Sequence, residues 1–233
     1  MTFAREPLIS ASETLPRIPS WVTSACAETL EDVAFLSGSA LNHLHVVLGR
    51  ADVPQTLLRD RLALRAAEAC VVFTGRSERA AELRDAVHLL RPGDLPGPAG
   101  ETYLAWRRAV ERPVSVKALG RALPRIEPDQ IAAWLDAGHE APVTRAAMVL
   151  EAVLTEVPRA EVPALILADA ALALALGWNH LGPLLATGLK RADLRKRGDD
   201  LRLACHRALI SSAIEAARLA ADLGRRAAHL TAV

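Results

Sequence analysis

LILADAALALALGWNH, residues 165–180, is built almost entirely from leucine and alanine, with one carboxylate, Asp169, among them. The run begins after Pro163 and is broken at Gly177, so it is shorter than the roughly 20 apolar residues that a membrane-spanning helix needs. An ionised carboxylate at the centre of a bilayer would also be costly. The stretch is therefore predicted to be a helix in the core of a soluble protein, and no membrane association is expected.

The composition indicates which secondary structure fills this core. Of the 233 residues, 51% are hydrophobic but only 3% are aromatic. Leucine, alanine and valine must then supply the buried volume, and leucine and alanine favour helices over sheets. Apolar residues also recur at spacings of three and four through most of the chain. This period predicts an all-α fold, a compact multi-helix domain of about nine or ten helices with a long C-terminal helix.

Prolines, glycines and capping residues divide the chain into predicted segments. Residues 1–23 contain prolines at positions 7, 16 and 19 and are predicted to be an irregular leader, with residues 24–233 as a single all-helical domain. Ser77 is the expected N-cap of the third helix, and Asp199 or Asp200 that of the last. Helices are predicted at 28–48, 54–74, 77–90, 100–111, 114–123, 128–137, 142–155 and 163–177, before the long final helix.

The cysteines indicate the compartment. Cys26, Cys70 and Cys205 are not spaced as a metal site or a redox pair, and they are predicted to be reduced thiols. Neighbours on a helix diverge by about 100°, so Cys205 and His206 are not expected to form a nucleophile pair. The N-terminal segment lacks the apolar core of a signal peptide, which predicts a cytoplasmic protein. Phosphate-binding loops and hydrolase motifs are absent as well, so no cofactor is predicted.

Asp169 is the first candidate for a catalytic residue. A carboxylate inside an apolar helix must be paired, hydrogen-bonded or protonated, because burial penalises its charge. It could act as a general base or a ligand, with Trp178 and His180 nearby. It could equally accept a hydrogen bond from a tryptophan indole or pair with a buried arginine, and the sequence favours such a structural role. Asp169 and His180 are therefore the candidates for an enzyme interpretation.

Asp85 and His88 are the candidates for a metal site. They form a D-x-x-H arrangement one helical turn apart. In di-iron helical bundles a carboxylate–histidine pair with this spacing occurs twice, together with further glutamates. Here it occurs once, so a surface ion pair is favoured and no metal is predicted.

The segment LKRADLRKRGDD, residues 189–200, is the strongest local concentration of charge. Such a cluster can contact the phosphates of a nucleic acid, but it lacks interleaved aromatic residues for base stacking. A solvated turn between two helices has the same composition. The candidate nucleic-acid-binding residues are Lys190, Arg191, Arg195, Lys196 and Arg197.

Several stretches together resemble a bacterial family catalogued as domain of unknown function 1403. These are EDVAFLSGSAL (31–41), LLRDRLALRAAEA (57–69), LRDAVHLLRPGDLPGPAGETYLAWRR (83–108), LILADAALALALGW (165–178) and GLKRADLRKRGDDLRLACHRAL (188–209). The resemblance implies no activity, cofactor or catalytic residue. Members of that family continue further, so it also implies that this chain is a fragment or a shortened member.

Three classes of function are compatible with these features. The favoured one is a non-catalytic protein-binding or scaffold module, with another protein as its partner. The basic turn at 190–197 and the arginine-rich face of the helix at 57–74 are the expected partner surfaces. The alternative is a nucleic-acid-associated accessory or regulatory protein that uses the same basic turn. The third is an enzyme centred on Asp169. The net charge of +1 provides no global field that would favour nucleic acid.

Overall fold

The computed structural model describes residues 17–24, 29–91, 93–136 and 140–231. Within these ranges the chain forms eleven α-helices, one short 3₁₀ turn and no strand, which confirms the predicted all-α fold. The helices are α1 (Ser20–Ser24), α2 (Leu30–Leu48), α3 (Gln55–Phe73), α4 (Ala80–His88), α5 (Gly97–Glu111), α6 (Val116–Ala122), α7 (Pro128–Leu135), α8 (Pro142–Glu156), α9 (Glu161–Ala175), α10 (Leu185–Gly188) and α11 (Gly198–Thr231).

The centre of the fold is α9, the helix within the quoted stretch. Every residue from Ala164 to Ala173 is buried, so nearly three turns of this helix have no face toward water. It packs most extensively against α8, to which a short connection joins it, and it also touches α3, α5, α7 and α10. Its alanines let these neighbours approach closely from all sides, as a helix that is hydrophobic all round requires.

The other large contacts build the layers around this centre. The long helix α11, 34 residues, packs along α2 and also touches α8 and α10. Helix α3 packs against α5. Gly188, at the end of α10, lies directly against the backbone of α11, because a Cβ built there would be 2.5 Å from the carbonyl oxygen of Ala208. The protein therefore has one continuous core shared by early and late helices.

Two elements were not predicted, and one was predicted to be irregular. Helix α1 overlaps the end of the predicted leader, residues 1–23, and its Val22 is buried, whereas residues 1–16 lie outside the described ranges, as does Cys26. Helix α10 and the 3₁₀ turn at Asp193–Arg195 are too short to produce a repeating apolar pattern. The eleven helices exceed the predicted nine or ten for this reason.

Both predicted N-caps were wrong. Helix α4 begins at Ala80, and there Glu82 reaches back to accept a hydrogen bond of 2.7 Å from the backbone N–H of Arg79. Helix α11 begins at Gly198, whose N–H donates to Glu151 at 3.0 Å. The two predicted capping aspartates, 199 and 200, instead lie in the first turn of α11, where a negative charge favours the helix dipole.

The hydropathy of the helices agrees with the expectation for the quoted stretch. Among the described residues, none of the helices combines the length and the apolar character needed to cross a bilayer. Helix α9 is the most apolar of them, but its 15 residues are fewer than the roughly 20 that a membrane-spanning helix needs.

The close approach at Gly188 provides a test of this packing. The variant Gly188→Ala would press a methyl group into the backbone of Ala208, which cannot move away as a flexible side chain could. We expect the free energy of unfolding to fall by about 1–3 kcal/mol. The measurement is urea unfolding followed by circular dichroism.

Gly120→Ala is the matched control. Gly120 also lies in a helix, α6, but no atom lies within 4 Å of a Cβ built there. This variant should gain about 0.5–1 kcal/mol from the better helix propensity of alanine. Equal effects of the two substitutions would contradict the close contact of α10 with α11.

Candidate functional site

Asp169 in α9 is 1% exposed, and it is bonded to backbone amides. Its Oδ1 accepts hydrogen bonds from the N–H groups of Leu184 at 3.2 Å and Leu185 at 2.9 Å, and its Oδ2 lies 3.5 Å from that of Ala186. The amides of Leu185 and Ala186 belong to the first turn of α10 and lack partners within their own helix, whereas the amide of Leu184, which precedes the helix, also donates to the carbonyl of Gly182 at 2.8 Å. The carboxyl group thus fixes α10 to α9. The sequence had suggested an indole or an arginine as its partner, and both suggestions were wrong.

The surroundings of Asp169 favour its neutral form. Burial raises the pKa of Asp169 from its ordinary 3.8 to about 8, while the hydrogen bonds from Leu185, Ala186 and Leu184 act in the opposite direction. A protonated Oδ2 also agrees with its long distance to the Ala186 amide, because a hydroxyl accepts less readily than a carboxylate oxygen. Within the described residues, Asp169 has no hydrogen bond to His180. A carboxyl group that is buried and neutral favours a structural role over a role as a general base, because it is neither ionised nor accessible to a substrate.

The residues Trp178, Asn179 and His180, here called the WNH turn, leave the end of α9 in a defined direction. Gly177 has a φ of 68°, and the N–H of Trp178 donates to the carbonyl of Ala173 at 2.8 Å. This is the Schellman ending that glycine favours. The carbonyl of Asn179 then accepts a hydrogen bond from the N–H of Val114 at 2.9 Å, which holds the turn against the segment between α5 and α6.

Trp178 joins this turn to α2. Its indole N–H donates to Nδ1 of His45 at 2.9 Å, and the two rings are stacked at a centroid distance of 6.5 Å. Because His45 accepts here, its Nδ1 carries no proton. The pair separates two clefts that both contact the tryptophan.

The first cleft, here called the WNH pocket, has a volume of about 420 Å³. Its floor is made of buried leucines from α2, α3 and the segment after the WNH turn, and polar side chains lie around it. The floor consists of Leu44, Leu58, Leu62, Leu181 and Leu184, and the polar residues include His45, Gln55, Arg59, Asn179 and His180. Clefts of this size with an apolar lining and a few polar groups are typical of small-molecule sites.

Arg59 and His180 give the WNH pocket its electrostatic character. Partial burial, with a contribution from the nearby cation of Arg59, lowers the pKa of His180, so the imidazole is neutral at pH 7. Arg59 itself is half-buried, and its guanidinium donates only a long hydrogen bond of 3.4 Å to the hydroxyl of Thr56. No carboxylate pairs with Arg59 among the described residues. The sequence analysis missed Arg59, although its place beside Leu58 at the edge of the apolar stripe of α3 was a signal.

The second cleft, of about 390 Å³, contains a buried Ser37–His206 pair. Ser37 Oγ and His206 Nδ1 lie 2.6 Å apart, and the serine is also 3.0 Å from the carbonyl of Ala34. Burial and the cation of Arg202 lower the pKa of His206. No carboxylate is hydrogen-bonded to this histidine within the described ranges, so the pair lacks the orienting acid of a Ser–His–Asp triad. The sequence analysis missed this pair, because its members are 169 positions apart.

The two cysteines in the described ranges, Cys70 and Cys205, are buried and free. Burial raises the pKa of both Cys70 and Cys205 to about 12, which removes the thiolate that would act as a nucleophile. Cys70 instead accepts the indole N–H of Trp106 at 3.4 Å. His206 bonds to Ser37 on another helix, in agreement with the prediction that it would not pair with Cys205.

The weak metal candidates are not brought together. Asp85 forms its ion pair with Arg84, at 2.9 Å, and no contact with His88 is seen in the described part of the chain. Nor do three or more histidine, cysteine or acidic side chains converge anywhere in these ranges.

The basic turn, residues 190–197, is stabilised by hydrogen bonds and an ion pair among its own residues. Asp193 accepts a hydrogen bond from the N–H of Lys190 at 2.9 Å and pairs with the ammonium group of Lys196 at 2.6 Å. Arg197 donates to the carbonyls of Leu194 and Lys196 at 3.1 and 2.7 Å, and the Leu194 side chain is buried. Two of the five predicted contact residues, Lys196 and Arg197, therefore stabilise the turn itself.

Arg191 and Arg195 differ from these two. Both side chains are exposed, and neither has an ion pair or hydrogen bond within the described residues. The turn thus presents two uncompensated guanidinium groups on a fixed backbone.

Comparison with known proteins gives one match. A family model described as "Protein of unknown function (DUF1403)" matches residues 6–233, essentially the whole chain. Searches of curated proteins and of solved structures found no match.

Substitutions at Asp169 test its role in holding α10. At pH 4, where the carboxyl group is protonated in the folded protein and in much of the unfolded chain, we expect Asp169→Asn to change the free energy of unfolding little, because an amide oxygen can accept the same two bonds from Leu184 and Leu185. Asp169→Leu is the matched comparison. It leaves the Leu185 amide without an acceptor, at about 1–3 kcal/mol, whereas the Leu184 amide keeps the carbonyl of Gly182 at 2.8 Å. Equal stability of the two variants in urea unfolding would contradict the capping role.

The pH dependence of stability tests the raised pKa. Between about pH 4 and about pH 8 the folded protein keeps a proton on Asp169 that the unfolded chain releases. The stability of the wild type should therefore fall with rising pH across this window, relative to Asp169→Asn, by up to about 1.4 kcal/mol per pH unit. The measurement is urea unfolding of both proteins at several pH values. Parallel curves would be incompatible with a buried, neutral carboxyl group.

Proposed function

Because the chain belongs to the family described as protein of unknown function DUF1403, we propose a function from its own residues. It is a non-catalytic, cytoplasmic binding module that recognises an acidic segment of a partner protein through the basic turn, residues 190–197. The observation that carries this proposal is the pair of exposed, uncompensated guanidinium groups of Arg191 and Arg195 on that turn.

The rigidity of the turn supports a binding role. Asp193 fixes both the start and the end of the turn, through Lys190 and Lys196, and Leu194 anchors its middle in the core. A recognition surface that is already ordered loses less conformational entropy when a partner binds. Arginine also has the planar fork that pairs with a carboxylate through two parallel hydrogen bonds.

The small extent of the basic surface favours a protein over a nucleic acid as the binding partner. Asp199 and Asp200 follow the turn directly, and Glu151 bonds to Gly198 at its end. A nucleic-acid site commonly neutralises about six to ten phosphates, and these carboxylates would repel a continuing phosphate backbone. The segment also offers no aromatic side chain for base stacking. A short acidic peptide fits the two free arginines better.

The groups that could perform chemistry are engaged in structure, which supports binding over catalysis. Asp169 caps α10, and burial suppresses ionisation of the two described thiols. The enzyme interpretation would need Asp169 and His180 to act on a common substrate. Asp169 is only 1% exposed and does not line the WNH pocket, whereas His180 does line it. A ligand in this pocket would therefore contact His180 but not Asp169.

The proposal predicts a charge-dependent interaction. A fluorescently labelled glutamate-rich peptide should bind the purified protein, and its affinity should fall as salt rises. The double variant Arg191→Ala/Arg195→Ala should weaken binding about fivefold, since each exposed pair contributes up to about 1 kcal/mol. Fluorescence anisotropy at several salt concentrations measures both effects.

Arg107→Ala/Arg108→Ala is the matched control, because it removes the same charge from two exposed arginines of α5. It should leave peptide affinity unchanged. Equal losses in the two double variants would contradict recognition by the turn. Tighter binding of duplex DNA than of the peptide, lost in Arg191→Ala/Arg195→Ala, would replace the protein partner by a nucleic acid.

A further inference from the structure

Arg59 in the WNH pocket is a cation without a counterion among the described residues. Its side chain is half-buried, and its one described hydrogen bond is the 3.4 Å contact with Thr56. A guanidinium group offers five N–H donors, and taking it out of water is costly unless an anion or several acceptors compensate it. An anion that entered this cleft would supply the missing partner.

The floor of the WNH pocket adds a second requirement. Five buried leucines line it, and the cleft of about 420 Å³ extends from Arg59 to Trp178. A bare inorganic anion would leave this apolar surface uncovered. A ligand with an apolar portion would cover it and gain the free energy of removing both surfaces from water. The pocket therefore favours an amphipathic molecule over a simple ion.

The number of charges limits the anionic group. The nearby imidazole of His180 is neutral, so Arg59 is the one full positive charge that lines the described pocket. Gln55 already donates its amide to the carbonyl of Leu48 at 2.8 Å. A phosphate dianion would leave a negative charge uncompensated in a partly apolar cleft. A carboxylate carries one charge and matches the guanidinium through two parallel bonds.

From this arrangement we propose that the WNH pocket binds a small amphipathic carboxylate, such as a medium-chain fatty acid or an aryl-alkyl acid. The carboxylate pairs with Arg59 at the rim, and the imidazole of His180 supplies a further hydrogen bond. The apolar tail lies along the leucine floor toward Trp178. None of these residues belongs to the basic turn, so this inference stands independently of the proposed protein partner.

Octanoate is the probe that tests the proposal. Isothermal titration calorimetry should show saturable binding of octanoate to the full chain. Octanol, which has the same tail without the charge, and acetate, which has the charge without the tail, should each bind at least about tenfold more weakly. Equal affinities for octanoate and octanol would overturn the role of Arg59. Absence of saturable octanoate binding at millimolar concentration would overturn the site.

The variant Arg59→Gln should weaken octanoate binding at least about tenfold, because it removes a charge-assisted hydrogen bond. Arg61→Gln is the matched control, since Arg61 is exposed on the same helix and does not line the pocket. Arg59→Lys keeps the charge without the planar fork and should retain part of the affinity. Thermal melting verifies that each variant is folded. Equal octanoate affinity of the two glutamine variants would refute the proposal.

The fluorescence of Trp178 tests whether octanoate binds in the WNH pocket. Its indole lines the pocket and donates to His45, so octanoate should change the intrinsic fluorescence of the protein. This change should disappear in Trp178→Phe, measured at an octanoate concentration that saturates that variant in calorimetry. A fluorescence change that persists in Trp178→Phe would place octanoate elsewhere and overturn the assignment.

Discussion

The burial of α9 from Ala164 to Ala173 is the constraint on which the rest of the structure depends. From Ala164 to Ala173 this helix has no contact with water, so its neighbours must cover it on every side. Asp169 is the single polar residue in that run, and it can be buried only if donors come to it. The first turn of α10 supplies them, and α10 in turn is pressed against α11 at Gly188. One buried carboxyl group thereby links the central helix to the longest one.

The two clefts are a result of how α9 ends. Gly177 reverses the chain, and the WNH turn brings Trp178 against His45 of α2. The tryptophan then separates the WNH pocket from the Ser37–His206 cleft. The residues that end α9 therefore also form the walls of the two clefts in which a ligand could bind.

The helices with a regular apolar period could be predicted from the sequence, whereas the features that depend on residues distant in the chain could not. Helices α2, α9 and α11 are long enough for their apolar period to be read directly. The caps of α4 and α11 were mispredicted because Glu82 and Glu151 provide them, one from within the helix and one from another helix. The buried state of Asp169 was expected, but its bonds to residues 184–186 depend on a helix too short to show a period. The Ser37–His206 pair and the unpaired state of Arg59 arise from tertiary packing, which no local pattern encodes.

The position of α9 along the chain has a consequence for biosynthesis. This helix is made only after α3, α5 and α7, all of which it covers in the folded protein. In a nascent chain that ends after the first seven helices, α3 and α5 can pack together, but the apolar surfaces that α9 covers have no partner, and such surfaces are prone to aggregate. The surfaces of α3, α5 and α7 that α9 covers therefore stay open until synthesis has passed Ala175, and the core is completed late rather than progressively.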